Sequence, residues 1–333
     1  GIAIVDASPT IRSNHILDNL GGQLGNGISA ENSSALIESN RIAGNINTGV
    51  VGGGGGAGGI GLSGLRCEAD PRLCAAEIRG NLIENNVVDS FDFGGGIAVY
   101  GGRPRIVGNL IRHNRARSGG GIVVLYDEGA QIENNLLVGN QSSAARGGGL
   151  YLATSLSNRG PQIVNNTFVD NQAVGGGSGI FAEVRVSTVR VVNNLIIGVG
   201  GGAIECGGSS TMPPLVAYNN AVAAAGPAYA GLCAASLGTD GNLSVAPSFV
   251  APGDYRLRSG SAGIDAGSND YSGEPVDFVG SPRIVAAAGT AAIVDIGAYE
   301  LSDLLFAGDF ETGTLRSADA AWTSRPMFAR QYE

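Results

Sequence analysis

Several residue types are scarce in this 333-residue chain, and each scarcity excludes a class of function. All twenty basic residues are arginine, so no mechanism can use a lysine side chain. The two histidines, His15 and His113, lie far apart in the sequence and form no metal-binding motif. No apolar run approaches the length of about eighteen residues that a membrane-spanning helix needs. A formal net charge of −9 makes nucleic acids and anionic membrane surfaces poor partners.

The chain is rich in glycine, with 56 residues, and it carries a repeated asparagine pattern. Successive repeats are separated by 26 to 41 residues. A period in this range indicates a solenoid, in which each repeat buries its apolar face against its neighbours. The first asparagines of the repeats are Asn14, Asn40, Asn81, Asn109, Asn135, Asn166, Asn194 and Asn220.

Apolar residues hold fixed positions around each of these asparagines. One lies three residues before it and another lies two residues after it, as Ile106 and Ile111 do around Asn109. Apolar residues at alternate positions in short segments predict strands, and the asparagines and glycines between them predict turns. Three short strands in a repeat of about 26 residues are typical of one coil of a right-handed parallel β-helix.

We therefore predict an all-β, single-domain fold, a right-handed parallel β-helix (β-solenoid) of about eight to nine coils with a C-terminal cap. Residues 1–225 are expected to form the coils, with an insertion at about 46–76. Residues 226–300 are expected to form the last coil or coils and the cap, and residues 301–333 a tail. Aligned asparagines are expected to hydrogen-bond from coil to coil in a ladder that satisfies backbone groups at the corners.

The four cysteines suggest an oxidising compartment. Cys67 and Cys74 bracket a short loop inside the longest repeat, which is typical of a local disulfide. Cys206 falls at an inward strand position, and a bridge to Cys233 would tie the last coil to its cap. The alternative is four buried free thiols.

The first residues begin in the middle of a repeat and match the third strand of a coil already under way. An open parallel strand end exposes unpaired backbone groups and invites pairing with another chain. We expect upstream coils that are missing from this sequence, and end-to-end stacking of copies is the alternative.

Three separated pieces near the C-terminus, residues 263–267, 277–283 and 294–300, resemble the C-terminal signature of a known family. These are the secreted bacterial β-helix proteins of the choice-of-anchor Q type, within the pectin-lyase-like superfamily. Residues 303–313 are similar to the Phe-x-x-Gly-Phe-Glu tail that follows such domains, with Asp309 as a departure. The resemblance implies an extracellular or cell-surface location, a capped last coil and a tail that sorts or anchors the protein.

The resemblance also gives an enzymatic hypothesis. Polysaccharide lyases on this fold remove a proton next to a uronate carboxylate, which requires an arginine or lysine base and usually an acidic Ca²⁺ site. The alternative is the solvated face of a solenoid. The candidate residues for a lyase are Arg103, Arg105, Arg112, His113, Arg115 and Arg117. Arg105 precedes the inward Ile106 and is expected to point outward, with Arg190 in the same column three coils on.

Acidic residues near the predicted cap are candidates for binding Ca²⁺ through oxygen ligands. Cap turns are commonly rich in acidic residues, so a purely structural role is the alternative. The residues concerned are Asp265, Asp270, Glu274 and Asp277, with Asp295 close to them in the pattern.

One outward column of the third strand brings Tyr151 and Phe181 onto adjacent coils, about 5 Å apart. Exposed aromatic side chains in a row suit sugar rings or a protein partner. The alternative is that residues 153–160 fold over them.

Short matches at residues 168–171 and 201–204 are similar to repeats of polymorphic outer-membrane adhesins. These short matches are partly dictated by β-helix geometry, so they bear more on the fold than on adhesion. A regular repeat, an exposed parallel end and no recognisable catalytic set give the leading hypothesis, an extracellular, non-catalytic adhesin or scaffold that binds a polysaccharide or cell-surface glycan, or stacks end to end. The alternative is a polysaccharide lyase or related uronate-acting enzyme that uses an arginine base with Ca²⁺.

Overall fold

The computed structural model describes residues 1–22, 24–49, 56–64, 74–89, 93–126, 129–154, 159–186, 188–285 and 291–301. Within these ranges the chain winds through three faces, each an all-parallel stack of short strands. Because the strands between the two ends pair with the equivalent strand one coil earlier and one coil later, these faces form a β-solenoid, as predicted. The described residues also contain one antiparallel pair outside the faces, Phe249–Ala251 with Asp254–Leu257. No helix in these ranges has the length and apolar character required to cross a bilayer.

Sheet 1 is formed by the strand that follows the glycine-rich part of each repeat. In the described ranges its strands are Ile2–Val5, Ile28–Glu31, Ile60–Gly64, Ile97–Gly101, Ile122–Leu125, Leu150–Ala153, Ile180–Glu183, Ile204–Cys206 and Tyr229–Gly231.

Sheet 2 comes next in each coil. Its strands there are Thr10–Arg12, Leu36–Glu38, Glu77–Arg79, Arg105–Val107, Gln131–Glu133, Gln162–Val164, Arg190–Val192 and Leu215–Ala217.

Sheet 3 follows a tight turn after sheet 2. Its strands in the same ranges are His15–Leu17, Arg41–Ala43, Leu82–Glu84, Leu110–Arg112, Leu136–Val138, Thr167–Ala173, Leu195–Gly198 and Asn220–Ala223. A row of two-residue corner strands completes the early coils and joins sheet 3 through its longest strand. These are Leu20–Gly21, Ile46–Asn47, Val87–Val88, Arg115–Ala116 and Gln141–Ser142.

The core lies inside the three sheets, where the apolar columns predicted from the sequence stack on one another. Ile78, Ile106 and Ile132 occupy the same register position in sheet 2 and are fully buried. Each residue beside an inward one points outward, because side chains alternate along a strand. The outward residues of each sheet therefore also form columns, with neighbours about 4.8 Å apart.

Stacked asparagines close the turns between sheets 2 and 3. The Asn109 Oδ1 atom accepts from the backbone N–H of Asn81 (3.0 Å) and from its side-chain amide (2.9 Å). The Asn109 amide in turn donates to Ile78 O (2.8 Å) and to Asn135 Oδ1 (3.0 Å). A second ladder five residues later is built in the same way, through Asn19, Asn45, Asn86, Asn114, Asn140 and Asn171.

The first ladder departs from the prediction at its C-terminal end. Asn194 donates to Asn219 Oδ1 (3.0 Å), and Asn219 donates to Asn242 Oδ1 (3.1 Å), so Asn219 rather than Asn220 is the rung. The physical reason is the core register: Val216, three residues before Asn219, pairs with Val191 and is buried inside sheet 2. Asn220 instead bonds to the backbone of Val245.

The predicted insertion at 46–76 is not one continuous excursion. Ile46–Asn47 is a regular corner strand, and Ile60–Gly64 pairs in register with sheet 1 strands on both sides. The additional residues of this coil therefore fall on either side of Ile60–Gly64.

A disulfide links Cys206 of sheet 1 to Cys233, as the sequence suggested for the end of the solenoid. Cys74 is also disulfide-bonded. Its predicted partner Cys67 lies outside the described residues, as does the predicted tail from residue 302 onward.

The C-terminal region divides into a closing piece and a long lateral segment. Near residues 229–243, Tyr229 donates to Asn219 O and Leu243 O (both 2.9 Å) at the last coil. The described part of residues 244–301, which we call the strap, instead runs back along the outside of sheet 3, whereas a cap over the last coil was expected. Strap residues Tyr255, Phe278 and Tyr299 pack on an outward leucine column. That column consists of Leu82, Leu110 and Leu136.

The asparagine ladder gives the first prediction. Asn109→Ala should lower the free energy of unfolding by about 2–4 kcal/mol, because it leaves buried backbone groups of Asn81 and Ile78 without partners. Urea denaturation followed by circular dichroism measures the change. Gln141→Ala, at an exposed position one coil away, serves as the control and should change stability little. Equal effects of the two substitutions would contradict a stabilising ladder.

Candidate functional site

A groove of about 600 Å³ lies on the outer face of sheet 2. It crosses several coils and is bordered on one side by the turns that lead into the sheet. The residues that form it are Ala75, Glu77, Arg103, Arg105, Gly129, Gln131, Arg159, Gly160, Gln162, Thr188 and Arg190. Four arginines and one glutamate line the groove, so its charge is opposite to that of the chain as a whole.

The floor of the groove is one outward column of sheet 2. The first residue of each strand precedes an inward isoleucine or valine, so its side chain points to solvent. The parallel register then places the first residues one above another across five coils. The column reads Glu77, Arg105, Gln131, Gln162 and Arg190. The predicted alignment of Arg105 with Arg190 is confirmed.

The rim of the groove comes from the turns before these strands. Arg103 is positioned by its backbone N–H, which donates to Cys74 O one coil earlier (2.8 Å). Gly129 adopts a φ of 115°, and a side chain there would contact Arg159. At Gly160 a Cβ atom would lie 2.5 Å from a Val189 methyl group, so only glycine fits. The small residues leave space between the arginines Arg103 and Arg159.

Arg105 makes polar contacts with three side chains around it. Its guanidinium donates to Gln131 Oε1 (3.1 Å) and Glu77 Oε1 (3.3 Å), and it forms an ion pair with Glu274 of the strap. Arg190 stands over the ring of Tyr271, also in the strap, at 5.7 Å from the ring centroid. The strap therefore borders the groove near both ends of the arginine column.

A buried carboxyl group lies beneath this edge of the strap. Glu133 is 8% exposed, and a Cβ atom on Gly273 would lie 2.4 Å from its Oε2 atom. Burial raises the pKa of Glu133, and the nearby charge of Glu274 raises it further, while Arg105 opposes both effects. Glu133 and Glu274 are thus two acidic groups that face one arginine.

The six residues predicted as a lyase site are not brought together. Arg103 and Arg105 reach the groove. Arg112 lies in sheet 3 and pairs with Glu84 (2.7 Å), and Arg115 lies on a corner strand and pairs with Asp89 (2.9 Å). The reason is that consecutive strands of a coil face different directions, so neighbours in sequence lie on different faces.

The other two members of that set also lie away from the groove. His113 occupies the turn between sheet 3 and the corner strand, with a φ of 54°. Arg117 directly follows the corner strand Arg115–Ala116. Arg159, in contrast, belongs to the groove although the sequence analysis missed it. The available signal was its position: Arg159 lies three residues before the sheet 2 strand Gln162–Val164, much as Arg103 lies two residues before the strand Arg105–Val107.

The predicted aromatic platform is present as a pair but is covered. The rings of Tyr151 and Phe181 are 6.0 Å apart, close to the expected spacing. Phe181 is only 1% exposed, because the Arg146 guanidinium stacks on its ring at 4.6 Å and Gly207 lies against its edge. The Tyr151 hydroxyl donates to Glu183. The pair is therefore a packed surface cluster, and part of the loop expected to cover it, 155–158, lies outside the described residues.

The structure does not bring together the acidic residues proposed to bind Ca²⁺. Glu274 pairs with Arg105, and Asp270 is exposed on the strap surface. Asp277 is buried and accepts three backbone N–H groups, from Val279, Ser281 and Glu300. Across the described ranges, no group of three or more acidic, histidine or cysteine side chains is arranged to hold a metal ion.

Asp277 instead belongs to a buried polar cluster that fixes the strap. Its centre is Arg283, which is 1% exposed. Arg283 donates to Gly297 O (3.0 Å), Ala298 O (2.9 Å) and the Asn134 side chain of the solenoid. Glu300 lies 3.8 Å from the same guanidinium. A buried charge is tolerated only when it is bonded in this way, so the cluster specifies where the strap docks.

The carboxyl groups of this cluster have strongly altered proton affinities. Burial raises the pKa of Glu300 to about 8, with a further contribution from the charge of Asp295. Burial likewise raises the pKa of Asp295 to about 6, although its Oδ1 and Oδ2 atoms accept the N–H groups of Asp265 and Leu301. The folded protein thus binds these protons more tightly than the unfolded chain does.

These raised pKa values predict a stability that depends on pH. Their contribution to the free energy of unfolding is fully present below about pH 4, where carboxyl groups are protonated in the unfolded chain as well. It is lost as the pH rises through about 6 for Asp295 and about 8 for Glu300. The thermal midpoint should therefore fall between pH 5 and pH 8.5. Glu300→Gln, which imitates the protonated form, should reduce that fall. An unchanged pH dependence in Glu300→Gln would contradict the assignment.

Comparison with known proteins supports the architecture. No curated protein and no solved structure matches the chain. A model of the family described as the right handed beta helix region matches residues 1–154 and 72–222, which together make up more than half of the chain. Its matched range coincides with the stacked parallel sheets that carry the groove. The chain belongs to the right-handed β-helix family.

Proposed function

We propose that this protein is an extracellular, non-catalytic β-helix protein that binds acidic glycans along the sheet 2 groove. The observation that carries the proposal is the set of four arginines around one groove, on a chain with a net charge of −9. A local reversal of charge of this kind attracts anionic ligands and repels cationic ones. The Cys206–Cys233 disulfide supports an oxidising, extracellular environment.

The geometry favours a linear polymer over a small anion. Arg105 and Arg190 are three coil steps apart in one column, which corresponds to roughly 14 Å. Arg103 and Arg159 lie along the rim beside them. A polysaccharide with repeated carboxylate or sulfate groups can contact several of these arginines at once, and linked contacts strengthen binding through effective concentration. Guanidinium groups suit such ligands because they bind both oxygens of a carboxylate or sulfate.

Binding fits the groove better than lyase chemistry does. A base that removes a proton must have a lone pair free and aimed at the substrate. Arg105 instead donates to Gln131, Glu77 and Glu274, which is the arrangement of a charged side chain that positions a ligand. Two glutamines lie between the arginines, where the Gln131 amide nitrogen and the Gln162 amide oxygen are a neutral donor and acceptor of the kind that sugar hydroxyl groups require. Their other amide atoms bond within the protein, Gln131 Oε1 to Arg105 and Gln162 Nε2 to Thr188 O (2.9 Å).

The test is a binding assay against polygalacturonate, alginate and heparin, with dextran as a neutral polymer. Arg159→Gln and Arg190→Gln should each weaken binding by about 5- to 10-fold, the value of one charge-assisted hydrogen bond of about 1–1.4 kcal/mol. Arg115→Gln removes the same charge on a different face and should leave the affinity unchanged.

Two results would overturn the proposal. Equal loss of affinity in Arg115→Gln and Arg159→Gln would mean that binding follows net charge and not the groove. An increase in ultraviolet absorbance from unsaturated sugar ends, measured on the same polymers with and without Ca²⁺, would identify a lyase instead.

A further inference from the structure

One of the two described contacts between the strap and the groove arginines is an ion pair. Glu274 is 169 residues distant from Arg105 in sequence, yet the two side chains form an ion pair. Glu274 is 19% exposed in its side chain and Arg105 is 41% exposed, so the contact lies at the groove surface and not in the core. The Glu274 carboxylate thus has the same chemistry as the ligand proposed for the groove.

We propose that Glu274 is an internal ligand of the groove, which occupies Arg105 in the free protein and is replaced there by an acidic group of the glycan. This inference rests on the proposed function, since it concerns how the same groove is filled. It assigns to the strap a regulatory role in addition to its structural one.

The surroundings of Glu274 favour such an exchange. Arg105 is its ion-pair partner among the described residues, the charge of Arg79 also acts on it, and the buried carboxyl group of Glu133 lies beside the same segment. A glycan carboxylate or sulfate approaching from the groove would offer Arg105 oxygens equivalent to those of Glu274. Replacement would therefore keep a charge-assisted partner for Arg105.

The backbone around Glu274 is held on both sides, so the side chain can leave Arg105 without release of the strap. On one side Asn193 accepts the N–H of Ser268 (2.9 Å) and donates to its carbonyl (3.0 Å). On the other side, two residues after Glu274, the Asn134 side chain of the solenoid donates to Val276 O (2.6 Å). The exchange therefore requires only a change of rotamer at Glu274, whose side chain is partly exposed.

The experiment compares polygalacturonate binding by the full chain and by four variants, one of which carries two substitutions. Glu274→Gln should bind roughly 3- to 10-fold more tightly than the native protein, because Arg105 loses a charged competitor and keeps a neutral neighbour. Asp270→Asn is the matched control: Asp270 is exposed on the same strap segment, so its loss changes net charge equally without freeing Arg105. In an Arg105→Gln background, Glu274→Gln should have no effect on affinity.

Equal affinities for Glu274→Gln and Asp270→Asn, with binding still dependent on Arg159, would overturn this inference and leave the proposed function intact. A protein that binds none of the acidic polymers would overturn the proposed function. In that case inorganic sulfate is the second probe. Greater thermal stabilisation of Glu274→Gln than of Asp270→Asn by sulfate would still support Glu274 as an internal ligand of Arg105, and equal stabilisation would exclude it.

Discussion

The hydrogen bonds between stacked asparagine side chains are the constraint on which this structure depends. The ladders through Asn109 and Asn114 lie on either side of sheet 3 in the coils up to Asn171, and they satisfy backbone groups that the turns would otherwise leave buried and unpaired. Because both ladders fix the same register from coil to coil, they also fix the outward columns. The arginine groove is therefore a consequence of ladder geometry together with the residues placed one position before each buried isoleucine.

Most of the solenoid was predictable from the sequence because two independent patterns determine its register, the spacing of the asparagines and the spacing of the apolar residues around them. The two patterns disagree at Asn219 and Asn220, whereas at the adjacent pair Asn134 and Asn135 they agree on the second asparagine. At Asn219 and Asn220 the apolar position decides, since a valine at 216 fills the core better than the alanine at 217. Counting from the apolar column would have identified Asn219 as the rung.

The candidate site was less predictable, for two physical reasons. The arginines between 103 and 117 are close in sequence, but they lie on different faces because the strands of one coil face different directions. Arg105 and Arg190 are distant in sequence, yet the strand register aligns them in one column. The strap has no periodic pattern to place it, and its contacts with Arg105 and Asn134 join segments well over a hundred residues apart. Single-sequence reasoning identified the acidic strap residues but not their partners.

The strap also changes how the repeats depend on one another. A simple solenoid behaves as a row of units coupled only to their nearest neighbours, and it can open from an end one unit at a time. Here one segment packs on the leucine column of Leu82, Leu110 and Leu136 through three aromatic residues, and on Leu195 through Leu257 and Ile296. The strap can dock only when the coils from Leu82 to Leu195 are already stacked. Its docking therefore depends on the assembly of those coils and couples them into a single cooperative unit.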